Sequence, residues 1–316
     1  MTIQIRLLLA AILTVAAPVL ACAQDGKLVL YTSQPNQDAQ QTIDAFKAKY
    51  PKVDITFVRD GTPRIVAKLR AEMEAGAAQA DILLIADAVT MEDLKKEGRL
   101  LPYPEADLSA YPPAVHDKDK AWFATKLITT GIIYNTKAPF QPQSWSDLLK
   151  PETKGQVVMP SPLASGAALI HAATLTSNLQ EGWGYYVKLK TVLKQVAGGE
   201  KLFGMVVDFM AIREKAKGAP VAFVFPKEGV SAIGEPVAIL KSTKNPDAAR
   251  AFIAFLLSKD GQELALKQGY VPAHPQVAVP AGFPDRKDIK LMTFDPAKAL
   301  ADAKVNSKRF SDIFGP

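Results

Sequence analysis

Along the N-terminal third of the chain, short apolar runs alternate with longer segments in which apolar residues recur every three or four positions. Three of the short runs predict strands, and these are 27–32, 53–58 and 81–85. A segment with helical spacing follows each run, at 36–50, 62–75 and 91–97. Strands that alternate with helices in this order predict an α/β fold with a parallel sheet covered by helices on both faces.

The pattern changes after Gly98. A proline-rich loop at 101–113 leads into a long β-rich stretch, 122–134, which we predict to cross into a second lobe. A second β-rich stretch, 230–240, predicts the return crossing. We therefore predict that residues 24–128 and 237–316 form lobe one and that residues 129–236 form lobe two. Two extended crossings between lobes make a hinge that can close on a ligand.

The first two dozen residues predict an export signal. Arg6 supplies a positive charge, and the apolar run at 7–19 is shorter than the roughly 20 residues that a membrane-spanning helix needs. Ala21-Cys22-Ala23 fits a cleavage site, so we predict a leader at 1–23 and a periplasmic mature protein. The same segment loosely matches a lipobox in which Cys22, the only cysteine of the chain, would be lipidated. About 290 mature residues exceed what one core usually supports, which favours two lobes.

Composition excludes several classes of function. The net charge is +6, but lysines and arginines are spread among acidic residues and aromatic residues are 8% of the chain, so no nucleic-acid partner is expected. The three histidines, His116, His171 and His274, lack the spacing of metal ligands. No nucleophile elbow, phosphate-binding loop or dinucleotide fingerprint is present. We therefore predict a monomer that is not an enzyme and that needs no metal or other cofactor.

Polar residues follow the predicted strands of lobe one. Ser33 and Gln34 follow the first strand, Thr62 lies just beyond the second, and Asp87 follows the third. In open α/β sheets, ligands bind beyond the carboxyl ends of the strands. We predict that these four residues line a cleft between the lobes.

The most informative segment of lobe two is Ser161-Pro162-Leu163-Ala164-Ser165-Gly166-Ala167, which follows a short strand and opens a helix. Helix N-termini carry unpaired amides and a partial positive charge, and they bind anions. Ser161, Ser165, Gly166 and Ala167 are therefore candidate anion ligands. A plain serine N-cap explains the segment equally well.

Two carboxylates follow strands of lobe two, Asp208 after the run 202–207 and Glu228 after the run 221–225. Facing the cleft, they would suit an amine or sugar hydroxyls at the other end of an anionic ligand. Surface salt bridges are the alternative.

Nearly all of the mature chain resembles ABC-importer substrate-binding proteins of the ferric-iron-like group. The segments that carry the resemblance are 28–33 (LVLYTS), 81–87 (DILLIAD), 131–135 (GIIYN), 235–240 (EPVAIL) and 245–270. The resemblance implies a type II periplasmic-binding-protein fold, in which two α/β lobes with mostly parallel central sheets are joined by two crossing hinge strands. It also implies an inner-membrane ABC permease as partner.

Iron binders of this group use two adjacent tyrosines where this chain has Val207-Asp208-Phe209. The pair Tyr185-Tyr186 lies in a predicted helix instead. The chain is more similar to members that bind phosphonates or sugar phosphates, and this similarity implies ligand roles for Ser33, Ser165, Gly166, Asp208 and Glu228. Those members have a longer segment before 197–200, so the loop there departs from the pattern.

The sequence thus predicts a periplasmic receptor that captures a small anionic or zwitterionic solute by hinge closure, with 2-aminoethylphosphonate favoured. A ferric-iron receptor and a secreted enzyme with Asp208 and Glu228 as an acid–base pair are the alternatives. A sensory adaptor that presents its ligand to a membrane receptor is a further alternative.

Overall fold

The computed structural model describes residues 26–192 and 201–315. The predicted leader at 1–23 lies outside the described residues, and so does Cys22, with its predicted removal and its alternative lipidation. The segment 197–200 lies outside them as well. The described strands are β1 Gly26–Thr32, β2 Val53–Arg59, β3 Ile82–Leu84, β4 Leu100–Leu101, β5 Phe123–Ala124, β6 Lys126–Asn135, β7 Val157–Val158, β8 Phe203–Val207, β9 Val221–Val224, β10 Ser231–Ile233, β11 Pro236–Leu240 and β12 Val271–Pro272. The α-helices are α1 Asn36–Lys49, α2 Thr62–Glu74, α3 Ala88–Lys96, α4 Gly166–Asn178, α5 Trp183–Val192, α6 Asp208–Ala216, α7 Pro246–Leu257, α8 Lys259–Lys267 and α9 Pro296–Phe314.

The sheet of lobe one has the order β2-β1-β3-β11-β4, with β5 also paired to β11. β1, β2 and β3 are parallel, as the alternation of strands and helices predicts, whereas β11 runs antiparallel to β3. Phe46 of α1 packs beneath this sheet, with ring centroids 5.1 Å from Phe252 and 5.8 Å from Phe255 of α7. The N-terminal βα units and the later helix α7 therefore share one core.

The sheet of lobe two has the order β10-β6-β8-β7, with β9 also paired to β6. β7 and β8 are parallel, and β6 runs antiparallel to β8, β9 and β10. Its core surrounds the buried Trp145, whose carbonyl accepts a hydrogen bond of 2.9 Å from the Tyr185 hydroxyl. Each sheet therefore combines parallel strands with one strand of opposite direction.

The strand of opposite direction in each sheet belongs to a crossing between the lobes. β6 leaves lobe one, where Lys126 and Leu127 pair with β12, and continues into the sheet of lobe two. β10 pairs with β6 and is followed by β11, which returns to the sheet of lobe one. The two-lobed α/β fold with two crossing strands, expected from the sequence, is confirmed.

The sequence also predicts a helix at 145–149 and a C-terminal helix at 296–304, and the structure differs from the prediction at both. The segment at Trp145 forms a 3-10 helix, Trp145–Leu149, which Ser144 caps. α9 continues to Phe314, beyond the predicted end near Lys304. Phe310 and Phe314 pack against the Tyr186 ring at centroid distances of 6.4 and 6.2 Å, which explains the extra turns.

α9 also contacts α3, so the C-terminal helix touches elements from both predicted lobes. The lobe boundaries at 128/129 and 236/237 stay a prediction. Among the described helices, none has the length and apolar character needed to cross a membrane.

Candidate functional site

The carboxyl ends of β1 and β3 meet at one edge of the lobe-one sheet, through Ser33. The Ser33 amide donates to the Leu84 carbonyl at 3.1 Å, and the Ser33 hydroxyl accepts from the Ala86 amide at 3.0 Å. The Asp60 amide donates to the Thr32 carbonyl at 3.3 Å, which brings the loop after β2 to the same edge. The polar strand ends of lobe one are therefore neighbours, as predicted from the order of the elements.

Gln34 is buried directly beside this edge, and its side chain faces the hinge. The amide nitrogen donates to Glu235 Oε2 at 3.2 Å. The amide oxygen is buried and has no hydrogen-bond partner among the described residues. Turning the amide over would bring this oxygen against the Glu235 carboxylate, so the orientation follows from electrostatics. A buried acceptor without a donor costs about 1–3 kcal/mol, which makes this oxygen a candidate ligand contact.

The two lobes touch where the N-terminus of α4 meets the loops of lobe one. A methyl group on Gly166 would lie 2.6 Å from the Ala86 carbonyl oxygen and 2.7 Å from Thr62 Oγ1. A methyl group on Gly61 would lie 2.3 Å from the Ala164 carbonyl oxygen. These glycines allow backbone to approach backbone across the gap. Thr62 and Gly166, two predicted site residues from different lobes, are therefore in contact.

Ser165 caps α4, and Ser161 shapes the turn before it. Ser165 Oγ accepts from the Ala168 amide at 3.3 Å, and the Ser161 carbonyl accepts from the Ser165 amide at 3.0 Å. The amides of Gly166 and Ala167 have no acceptor within the described residues. Ser165 is thus the N-cap of α4, which agrees with the capping interpretation of the sequence. Capping leaves two amides available to an anion, so the two interpretations are compatible.

Asp87 caps the neighbouring helix of lobe one. Its carboxylate accepts from the Val89 amide at 2.9 Å and from the Thr90 hydroxyl, and the side chain is buried. Burial raises the pKa of Asp87, against the opposing effect of these hydrogen bonds. The carboxylate is therefore occupied within its own turn, and a role as ligand contact stays a prediction.

Asp208 begins α6 and is buried inside lobe two. Its carboxylate accepts from the Thr129 amide at 2.9 Å, the Thr129 hydroxyl at 2.7 Å and the Phe209 amide at 2.7 Å. Burial raises the pKa of Asp208 to about 6, although these hydrogen bonds favour the charged form. Asp208 thus links the crossing strand β6 to the start of α6 through hydrogen bonds.

Glu228 is engaged elsewhere in lobe two. It accepts from the Ser144 hydroxyl and, at 3.4 Å, from the Trp145 amide, at the start of the 3-10 helix. Neither Asp208 nor Glu228 hydrogen-bonds to the other or to Ser165 in the part of the chain that the structure describes. The two carboxylates therefore belong to separate hydrogen-bond networks of lobe two. The ligand contacts of Asp208 and Glu228 stay a prediction.

The hinge contains an ion pair that sequence reasoning missed. Lys126 Nζ lies 2.7 Å from Glu235 Oε2, and both side chains are 3% exposed. The ammonium also lies 3.9 Å from the centroid of the Tyr270 ring. Glu235 has φ 31°, in the left-handed region, and follows Gly234 in the return crossing. In the sequence, the feature that marks this position is the Gly-Glu-Pro step at 234–236, which interrupts an apolar run.

The adjacent tyrosines of α5 are packing residues. Tyr185 donates its hydroxyl to Trp145, and Tyr186 lies against α9. Burial raises the pKa of both phenols well above the ordinary value, which opposes phenolate formation. Within residues 26–192 and 201–315, no group of three or more His, Cys, Asp or Glu side chains is placed to hold a metal ion.

Comparison with known proteins gives a consistent result. The family model described as bacterial extracellular solute-binding protein matches residues 32–263. An uncharacterized protein of Haemophilus influenzae is 30% identical over 267 residues, which cover 77% of this chain and 76% of that protein. The Fe(3+)-binding periplasmic protein of Serratia marcescens is 24% identical over 335 residues, 97% of this chain and 94% of that protein.

Among solved structures, the periplasmic binding protein AfuA from Actinobacillus pleuropneumoniae, with fructose-6-phosphate bound, superimposes with a TM-score of 0.82. The two are 25% identical, and the match covers 91% of this chain and 98% of that chain. The ferric binding protein from Campylobacter jejuni gives a TM-score of 0.74 at 22% identity, covering 91% of this chain and 99% of that chain. The second likeness shows the fold alone.

Proposed function

This chain belongs to the bacterial extracellular solute-binding protein family, and on that premise we propose that it captures a small phosphonate or organophosphate for an ABC importer. Its relatives include periplasmic binding proteins, one of which, from Sinorhizobium fredii, is named a probable ABC transporter periplasmic-binding protein. Solute binding is therefore the family role, and it is a transport role rather than a catalytic one. The identity of the solute is the proposal.

The observation that carries the proposal is the N-terminus of α4 at the contact between the lobes. The amides of Gly166 and Ala167 donate no hydrogen bond to any acceptor among the described residues. The N-terminus of α4 contacts Thr62 and Ala86 of lobe one. Helix N-termini bind phosphoryl groups through free amides and the helix dipole. Lobe closure removes water from this position, which strengthens the interaction with an anion.

The comparison with AfuA supports the same class of solute. That protein binds fructose-6-phosphate, which joins a phosphoryl group to sugar hydroxyls, and the two folds superimpose over nearly their whole length. A sugar phosphate and a phosphonate both agree with this likeness at 25% identity. The likeness favours an organic phosphorus compound over a bare anion.

The unpartnered amide oxygen of Gln34 supports a solute that also carries a hydrogen-bond donor. A hydroxyl or ammonium group that reaches this oxygen would remove the cost of a buried, unsatisfied acceptor. The close approach of Gly166 to Thr62 favours a small solute. 2-Aminoethylphosphonate joins an anion to an amine within a short chain, so it stays our first candidate. We propose that the amine donates a hydrogen bond to the Gln34 amide oxygen, in addition to any contact with Asp208 or Glu228.

Calorimetric titration of the exported protein tests this proposal. The ligands are 2-aminoethylphosphonate, fructose 6-phosphate and inorganic phosphate. We expect heat of binding from at least one of the two organic ligands and much weaker binding of inorganic phosphate, which lacks the second group. No heat from either organic ligand would contradict the proposal. Detection of the protein in the periplasmic fraction as a monomer tests the location and oligomeric state that accompany it.

Ferric iron is the second candidate, and the likeness to the Serratia marcescens protein favours it. Iron held by tyrosinate gives a visible charge-transfer band. Because Tyr185 and Tyr186 are packed in the core of lobe two, we expect no such band when ferric citrate is added. A band that is lost in the Tyr185→Phe variant would support the iron receptor instead. Release of phosphate from a phosphonate panel would reveal the enzymatic alternative.

A further inference from the structure

One side chain of lobe two reaches across the gap into lobe one, away from the contact at α4. Arg213 lies on α6, and its Nη2 is 2.8 Å from Asp38 Oδ2 on α1. Its Nε donates to the Gln268 carbonyl at 2.8 Å, just after α8. One guanidinium thus joins the lobe-two helix to two separate elements of lobe one.

The partner of Arg213 is enclosed by further contacts within lobe one. The Asp38 side chain is 3% exposed, and it also accepts a hydrogen bond from the Tyr270 hydroxyl. The backbone carbonyl of Asp38 accepts from Gln268 Nε2 at 3.1 Å. Lobe one therefore holds this carboxylate in place whether or not lobe two is near.

Aromatic rings from both lobes surround the guanidinium. Its central carbon lies 4.7 Å from the Phe209 ring of α6 and 5.0 Å from the Tyr270 ring of lobe one. The two rings are 4.4 Å apart. A planar guanidinium beside two packed rings, with a charge-assisted bond to a buried carboxylate, is a strong arrangement for Arg and a poor one for Lys.

These contacts join α6 of lobe two to elements of lobe one. Opening the hinge would separate α6 from α1 and would leave Asp38 without its cation. Because an interaction present in one state and absent in the other shifts the equilibrium between them, the contact favours closure. The apparent affinity for a solute that binds the closed form falls in proportion to the closed fraction.

We propose that Arg213 is a positioning residue that sets solute affinity from outside the ligand site by stabilising the closed form against Asp38. The proposal rests on the solute-binding role of the family and not on the identity of the solute. None of the candidate ligand contacts is part of this group of residues. Loss of the arginine is expected to open the protein and to weaken binding of whichever solute it takes.

The test measures the distance between the lobes in the absence of ligand. Spin labels are placed on cysteines at Lys52 of lobe one and Lys154 of lobe two, both exposed, with Cys22 changed to serine if the mature chain retains it. Pulsed electron-electron double resonance then gives the distance distribution. We expect Arg213→Met to shift the distribution to longer distances and Arg213→Lys to give an intermediate shift. An unchanged distribution in Arg213→Met would overturn the proposal.

Lys217→Met is the matched control, because Lys217 is a cation at the end of the same helix and, among the described residues, its one ion pair is with the exposed Glu214. We expect this variant to keep the wild-type distances. An equal shift in both variants would show that lost charge, rather than the contact with Asp38, opens the protein, and it would also overturn the proposal.

The affinity arm uses 2-aminoethylphosphonate and fructose 6-phosphate as probes. For a probe that the wild type binds, Arg213→Met is expected to bind about tenfold more weakly, within the usual range of coupling between two sites. If the wild type binds neither probe, the proposed solute class fails while the distance measurement still tests the role of Arg213. Unchanged affinity together with unchanged distances would refute that role.

Discussion

Lys126 and Glu235 form a buried ion pair that joins the two crossings of the hinge, with Nζ and Oε2 2.7 Å apart. Lys126 begins the outgoing strand β6, and Glu235 immediately precedes the returning strand β11. Glu235 Oε2 also accepts from Gln34 at the edge of the candidate site. The hinge and the candidate site therefore share one carboxylate.

Replacement of Lys126 by methionine is expected to destabilise the protein by about 3–5 kcal/mol, the usual cost of leaving one partner of a buried pair without its counter-charge. The methionine fills similar space, so the loss reports the charge and not a cavity. Urea unfolding measures the free-energy difference. Lys188→Met, which removes an exposed partner of Glu181, is the control and should change stability far less. A Lys126→Met variant as stable as that control would contradict a structural role for the pair.

Local patterns in the sequence were sufficient to predict most elements. The strands β1, β2 and β3 lie within two residues of their predicted bounds because each is a short apolar run with helical spacing after it. The two crossings were predicted for the same reason, since long β-rich stretches stand out from βα units. The N-cap role of Ser165 was also one of the two predicted outcomes.

Contacts between distant positions could not be predicted in this way. Arg213 and Asp38 are 175 residues apart, and nothing in either local pattern indicates the other. Asp208 illustrates the same limit within the candidate site. Its position after a strand is visible in the sequence, but its engagement with Thr129 depends on how β6 and β8 pair.

The raised pKa of Asp208, about 6, predicts a specific pH dependence. Between about pH 4 and pH 6 the folded protein binds more protons at this carboxyl than the unfolded chain does, so this residue makes stability fall as the pH rises. Asp208→Asn should remove that contribution. The free energy of unfolding of the variant minus that of the wild type should therefore increase between pH 4 and pH 7, by up to about 3 kcal/mol.

Urea unfolding at several pH values measures this difference. The exposed Asp302, which pairs with Lys298 on α9, provides the control when changed to asparagine. A difference between Asp208→Asn and wild type that does not vary with pH would show that Asp208 titrates normally in the folded protein.

His171 is expected to stay neutral over the whole physiological range. Its ring is 4.8 Å from the Trp145 ring, Nδ1 is 2.9 Å from Ser231 Oγ, and burial lowers the pKa of His171 to about 3. The unfolded chain takes up a proton near pH 6.5, so stability is lost as the pH falls from there towards 3. NMR spectra of the imidazole carbons should show His171 signals that do not move between pH 5 and pH 8. A His171→Phe variant assigns the signals, and a titration midpoint near 6.5 would contradict the prediction.

The contact of Gly166 with Thr62 and Ala86 predicts that a single methyl group hinders closure. Gly166 does not have a positive φ, so alanine fits its helix, and the collisions at 2.6 and 2.7 Å are all with lobe one. Because contacts under 3.0 Å force something to shift, we expect Gly166→Ala to keep its fold and unfolding transition but to hold the lobes apart. Solute affinity, measured by calorimetry with any ligand that the wild type binds, should fall by about tenfold or more.

Gly184→Ala is the matched control for that experiment, since a methyl group on Gly184 of α5 would meet only Glu181, at an ordinary 3.7 Å. Gly61→Ala repeats the test from lobe one, where the methyl group would lie 2.3 Å from the Ala164 carbonyl oxygen. If closure brings these surfaces together, both cleft variants should show longer distances between the lobes and weaker binding, whereas Gly184→Ala should match the wild type. Wild-type affinity in Gly166→Ala and Gly61→Ala would mean that the ligand-bound protein does not bring α4 against the loops of lobe one, and the anion site proposed there would be wrong.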